Sequence, residues 1–154
     1  MSREVYNLQN ELAAGRTVIV FTTGTSMEPL LYDKRKKNAT HVLVEPVTET
    51  LTEGDLPLVL LKDGRYMIHR IIRVMEEEGH IFYRTRGDNC IGSERVAKED
   101  VLGVVTEIYR KKKTIKVTDR GYLLYVKFRV GTYGIRRALW KVKVLLAKMK
   151  RKLV

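Results

Sequence analysis

The chain reads as a mainly β domain with a short helix before it and a basic amphipathic helical tail after it. Three observations carry this. Between Thr17 and Val117 the apolar residues fall in short β-branched runs separated by Gly, Pro, Asp-Gly and charged turns. From Ile135 to Leu153 they recur instead at a 3.6-residue period. Charge is divided at the same place: residues 1–109 carry 14 Lys/Arg against 17 Asp/Glu, and residues 110–154 carry 16 against one acid, Asp119. The net +12 is therefore a nearly neutral body of −3 and a tail of +15. A length of 154 residues fits one domain with an appendage. The expected divisions are an N-terminal helix over 1–16, a β domain over 17–117 and a basic helical extension over 118–154.

Taken in order, Ser2 is positioned to cap a first helix that carries Val5, Leu8 and Leu12 at helical spacing, with Gly15 as its stop. Thr17 to Thr22 is strand-like. The Gly24-Thr25-Ser26-Met27-Glu28-Pro29 turn follows, then a charged loop, Lys34-Arg35-Lys36-Lys37-Asn38, most simply a solvated one. His41 to Val47 predicts a second strand, which Pro46 limits to an edge or a strand end. Leu58 to Leu61 and Tyr66 to Val74 flank Lys62-Asp63-Gly64-Arg65, a strong hairpin signal. Glu76-Glu77-Glu78-Gly79 turns the chain into a partner strand, His80 to Arg86. Val101 to Ile108, a basic turn and Thr114 to Val117 complete the β region.

The tail begins with Thr118 or Asp119 capping a helix through Val130. Gly131 and Gly134 bracket a break. The last helix places Ile135, Ala138, Leu139, Val142, Leu145, Leu146, Met149 and Leu153 on one face and Lys/Arg on the others, with Trp140 near a boundary. A helix of this kind packs on its own domain, lies in an anionic membrane interface or binds nucleic acid. The membrane surface is the favoured partner and nucleic acid the least favoured.

Three stretches bring chemistry together. A glycine two residues ahead of Ser26 lets the chain turn sharply past a buried strand and displays the hydroxyl, although an ordinary strand-to-loop turn has the same form. His69 stands in an apolar strand, with Met67 and Ile71 on its face and Ile68, Arg70 and Ile72 on the other. Asp88 lies in Gly87-Asp88-Asn89, directly after a strand. Serine, histidine and aspartate in this order can form a nucleophile, base and orienting acid, which are recognised by geometry and not by order. Cys90, the single cysteine, excludes an internal disulfide and has no motif around it. His41 and His80 read as structural. No ligand spacing for a metal and no glycine-rich phosphate loop is present, so no cofactor is expected.

Gly24-Thr25-Ser26-Met27-Glu28-Pro29, Gly54-Asp55-Leu56, His69-Arg70 and Arg86-Gly87-Asp88-Asn89 together resemble the boxes of the signal peptidase I superfamily, in its Ser–His–Asp branch (archaeal, endoplasmic-reticulum and sporulation-type). The resemblance covers about Thr17 to Glu107. It implies a signal-peptidase/LexA-like catalytic β-fold and a serine endopeptidase that cleaves leader or signal-type peptides through an acyl-enzyme. Ser26 would be the nucleophile, His69 the general base and Asp88 the orienting acid. Gly24 and Met27 would belong to the oxyanion turn, near the Ser26 amide.

A second acid often follows in the family, and Glu94 is its candidate here. Relatives that use a lysine base carry it where His69 stands. Some relatives also add an oxyanion hydroxyl at the position of Gly24, which glycine cannot supply. The substrate would bind extended and present small residues before the scissile bond.

The opening residues lack the apolar core of an export signal, and no stretch approaches the ~18–20 apolar residues of a span. The expectation is a cytoplasmic protein, peripheral on the inner membrane face, without the family's usual anchor. The competing expectation is a catalytically silent relative that binds membrane or peptide through its basic helix.

Overall fold

The computed structural model describes residues 7–152. Ser2 and Val5, expected in the first helix, and Leu153, expected at the end of the last, lie outside the described residues. The architecture is mainly β, with a short helix before the strands and two helices after them. The first helix, α1 (Leu8–Ala13), takes its N-cap from Asn7, whose side chain accepts the Gln9 amide. It stops at Gly15, where φ is +78°.

The strands are β1 (Val18–Phe21), β2 (Thr40–Glu45), β3 (Pro57–Leu60), β4 (Tyr66–Ile68), β5 (Arg70–Glu77), β6 (His80–Arg86), β7 (Glu94–Ala97), β8 (Val101–Arg110) and β9 (Lys113–Lys116). Six of them form one antiparallel sheet in the order β1-β2-β8-β3-β4, with β9 also paired to β8, and this sheet curls into a half-barrel. β8 is its spine. Along one side it pairs with β2; along the other it pairs first with β3 and then with β9. The second sheet is β5-β6-β7.

Alternation along β2 sends Val42 and Val44 into a core, and a bulge at Thr106 in β8 lets Val105 and Ile108, three residues apart, enter the same core, which also takes Leu12, Leu58 and, from the tail, Tyr122. Successive residues of β3 face opposite ways. Leu58 enters this core, and Val59 enters a second one with Leu51, Ile71, Tyr83 and Val96.

The Asp63-Gly64 hairpin forms as expected, with Leu60 opposite Tyr66 and Gly64 at φ +80°. The return strand does not run unbroken from Tyr66 to Val74. The chain changes partner at His69: Ile68 pairs with Leu58 in the first sheet, and Arg70 pairs with Arg86 in the second. Arg70 and Ile71, adjacent in the chain, are both fully buried: Ile71 enters the second core and Arg70 is covered by Asp88 and Tyr122. β7, four residues long, has no period long enough to announce it and was not expected.

In the tail, α2 (Arg120–Gly131) follows Asp119, and α3 (Tyr133–Lys152) follows Thr132. Asp119 does not cap with its carboxylate, which instead accepts the Lys116 amide in the preceding turn.

Two glycines separate steric need from tolerance. A Cβ at Gly103 would stand 2.6 Å from Val44 Cγ1 and 2.7 Å from the Glu45 carbonyl oxygen, where β8 crosses β2. A Cβ at Gly121, inside α2, would meet open space. Gly103→Ala is expected to lower the unfolding free energy by about 1–3 kcal/mol through overpacking. Gly121→Ala is expected to raise it by roughly 0.5–1 kcal/mol. Urea titrations of the two variants check both signs.

Candidate active site

The nucleophile turn is built from behind. Asp33 is buried, and its carboxylate accepts the Gly24 amide at 2.7 Å. It also accepts the Arg35 amide and guanidinium. The Arg35 hydrogen bonds, with that from Gly24, hold the Asp33 carboxyl well below the usual carboxylate range. Gly24 itself stands at φ +80°, a conformation glycine adopts without strain. Met27 then buries its side chain and anchors the turn in the core. The Ser26 amide has no acceptor among the described residues.

Ser26 Oγ lies 3.0 Å from His69 Nε2, and His69 Nδ1 lies 3.1 Å from Glu94 Oε2. An ionised carboxylate can only accept, so Nδ1 carries the imidazole proton and Nε2 is left to accept from the serine hydroxyl. Both distances are within the reach of a working relay. The crossing between the two sheets puts His69 there, nearly buried, with its outer nitrogen toward the serine turn. Glu94 opens β7 opposite Thr85, which itself lies opposite Ile71. It is therefore two strands from the histidine's own strand, roughly 9–10 Å at ordinary spacing. A long carboxylate side chain bridges that gap. Its side chain remains 45 % exposed, facing the cleft mouth.

Asp88 does not occupy the place expected of it. It is buried against Arg70, accepting from Nε at 2.8 Å and Nη2 at 2.7 Å, and it accepts the Tyr125 hydroxyl at 2.8 Å as well. These three donors claim the carboxylate, and no hydrogen bond joins it to His69. The remaining Arg70 nitrogen donates to the Gly54 carbonyl and to the Tyr122 hydroxyl. Burial, the largest single influence, would lower the Arg70 guanidinium, but the hydrogen bonds and charge of Asp88 together with Tyr122 outweigh it and hold the group above its ordinary value. Burial raises the Tyr125 phenol, and the Asp88 charge raises it further.

The Gly87-Asp88-Asn89 turn also grips the serine turn directly. The Asn89 amide donates to the Ser26 carbonyl at 2.8 Å, and its side-chain amide donates to the Thr25 carbonyl. Gly87 approaches so closely that a Cβ there would stand 2.5 Å from the Ser26 oxygen. The Asp88 amide points at Met27 Sδ, 3.3 Å away. So the four boxes meet: Arg70 joins the Gly54, His69 and Asp88 stretches, and Asn89 joins them to Ser26.

Cys90 is a free, half-buried thiol whose pKa is raised by burial and then by the Glu94 charge. Its sulfur points at the Ser26 carbonyl and not at the cleft. His41 stacks on Tyr109, as a structural residue does. The charged loop after Leu31 ties Lys36 to Glu28.

A cleft of about 760 Å³ opens over Ser26 and Glu94. One wall is the end of β1, from Val20 to Gly24, and the other is the β3–β4 hairpin with Arg65, Tyr66 and Met67. β1 and β4 are the two outer strands of the first sheet's row, and its curl brings them to one cleft.

The two carboxylates are expected to separate by readout. Asp88→Asn leaves Arg70 buried without its counter-charge and should cost about 3–5 kcal/mol in urea unfolding. Glu94→Gln, at a half-exposed position, should change stability by less than about 0.5 kcal/mol. For Asp33, whose folded pKa is depressed, the carboxylate stabilises the fold above its unfolded pKa of about 3.9 and loses that contribution as pH falls from there toward the folded value. The stability difference between the parent and Asp33→Asn should therefore be constant above about pH 5 and shrink below about pH 4. Unfolding midpoints measured across that range check it.

No protein-family model matches the chain, and no curated protein is significantly similar to it. What the site does rests on its own geometry.

Proposed function

We propose that the chain is a serine endopeptidase of the signal-peptidase type, with the signal-peptidase/LexA-like catalytic fold that the four boxes imply. The single observation that carries this reading is the continuous relay Ser26 Oγ–His69 Nε2, His69 Nδ1–Glu94 Oε2, ending in an open cleft between two outer strands. Such a relay has one evident use, to make a serine hydroxyl nucleophilic toward an acyl carbon.

In this mechanism the Ser26 oxygen attacks a peptide carbonyl while its proton passes to His69 Nε2. Glu94 holds the imidazole in the competent tautomer and stabilises the imidazolium. The imidazolium then protonates the leaving amine as the C–N bond breaks. Water, deprotonated by the same nitrogen, hydrolyses the acyl-enzyme. The tetrahedral oxyanion is taken by the Ser26 amide; a single such donor contributes about 10²–10³ in rate. Gly24 and Met27 serve by shaping and anchoring the turn. Asp88 is assigned to holding the catalytic loops and not to orienting the base.

The substrate is an extended peptide that adds as a strand beside β1, across from the β4 hairpin. Small residues before the scissile bond, in the pattern of leader and signal peptides, follow from the family resemblance. A cytoplasmic location on the inner membrane face fits such substrates.

Labelling of the purified chain with a serine-reactive acylating probe tests the assignment. Labelling at Ser26 is expected in the parent and absent in Ser26→Ala and His69→Ala. Glu94→Gln should slow it by roughly 10²–10⁴, in the range seen when a triad acid loses its charge. Labelling that persists in Ser26→Ala, or a parent that never labels with or without anionic vesicles, would overturn the assignment and favour a silent binding relative.

A further inference from the structure

The tail helices leave most of their large apolar side chains turned away from the body. α2 faces the body with Tyr122, Tyr125, Val126 and Arg129, the last donating to the Glu28 carbonyl. Its other side leaves Leu123, Leu124 and Phe128 more than half exposed. α3 touches the catalytic loop through polar side chains: the Tyr133 hydroxyl donates to the Ile91 carbonyl and Arg136 to the Asp88 carbonyl. Tyr133 also lies under the Arg86 guanidinium.

At about 100° per residue, Ile135, Leu139, Val142, Leu145, Leu146 and Met149 fall within an arc of about 120°. Arg136 lies outside that arc, and Tyr133 lies nearly opposite it. All six apolar residues are at least half exposed. Proteins that live free in water rarely leave a stripe of this kind uncovered.

The charge beside the stripe identifies its cover. α3 holds eight Lys/Arg and no acid. Lys143 and Lys150 border the stripe on one side and Lys141 borders it on the other. An apolar stripe with basic borders suits an anionic phospholipid surface, where acyl chains receive the leucines and headgroups pair with the lysines. Among the described residues no helix is long and apolar enough to cross a membrane, so the contact is one of lying on the bilayer.

We propose that the outward faces of α2 and α3 form a docking surface for anionic bilayers. Because the same helices hold Glu28, Asp88 and Ile91 from the other side, docking places the catalytic turn about one helix diameter, 10–12 Å, from the lipid. The docking surface stands independently of the peptidase reading, and its test does not use activity.

Flotation of the full chain with phosphatidylcholine vesicles, with and without phosphatidylglycerol, is the first measurement. Binding is expected only with phosphatidylglycerol, and at least tenfold weaker in Leu139→Glu/Leu146→Glu, two exposed positions whose change is expected to leave the circular dichroism of the free protein unaltered. The depth probe is fluorescence. The single tryptophan, Trp140, lies about 160° from the centre of the stripe and should shift little on vesicle addition. Leu146→Trp in a Trp140→Phe background should shift to the blue and be quenched by brominated lipid.

Four outcomes would overturn the proposal. They are no binding, equal binding to neutral vesicles, binding that salt abolishes and the Leu→Glu changes do not touch, or a dimer in light scattering whose formation covers the stripe.

Discussion

A guanidinium and a carboxylate removed from water together constrain most of what surrounds them. Arg70 and Asp88 are nearly inaccessible, and either one alone at that depth would carry the desolvation cost of an unpaired charge. Their pairing is bidentate, and the remaining donors of Arg70 reach Gly54 and Tyr122. One ion pair thus joins the turn before β3, the crossing strand, the loop after β6 and the tail helix. His69 is the residue before Arg70, and Asn89, which grips the serine turn, is the residue after Asp88. The position of His69 against Ser26 is set by neighbours of the buried pair.

That arrangement divides the work between two acids. The buried one is already occupied by three donors and serves as a fastener. The half-exposed one, Glu94, faces the cleft and Nδ1 of the histidine. Water reaches the half-exposed Glu94 carboxylate and screens its interaction with the imidazole more than it would a buried pair. An acid that must offset a permanent guanidinium gains from the exclusion of water. The tail contributes to the fastener, since Tyr125 donates to Asp88 and Arg136 to the carbonyl of the same residue. α2 and α3 therefore pack as part of the body that holds the candidate site while their outer sides are apolar and basic.

Much of this was legible in the residues. β-branched runs and Asp-Gly placed the first-sheet strands and the hairpin, because period and turn chemistry are local. The 3.6 period of the last helix is local in the same sense. Ser26 and His69 were visible as a pair because their boxes carry them.

What was hidden depends on register between distant segments. The break at His69 arises from a change of pairing partner, which no window of sequence contains. The burial of Arg70 comes from Asp88 and Tyr122, 18 and 52 positions away, whereas alternation assigned it only to a face. Asp88 looked like the orienting acid because it is the short acid in the motif. The choice between it and Glu94 was made by β7, whose four residues have no legible period, and by Tyr125, 37 positions away. The signal that would have found the answer was the arginine beside the histidine, a cation with no partner on its own strand.

The division of labour between the acids is tested most directly by the imidazole proton of His69 itself. Proton NMR of the folded protein should show a hydrogen-bonded Nδ1–H resonance far downfield, assigned by its loss in His69→Ala. The account predicts that it survives in Arg70→Met/Asp88→Leu, where both buried charges are replaced by apolar groups of similar size, and disappears in Glu94→Gln. A resonance that persists in Glu94→Gln and vanishes from a folded Arg70→Met/Asp88→Leu would contradict it, and would return Asp88 to the histidine.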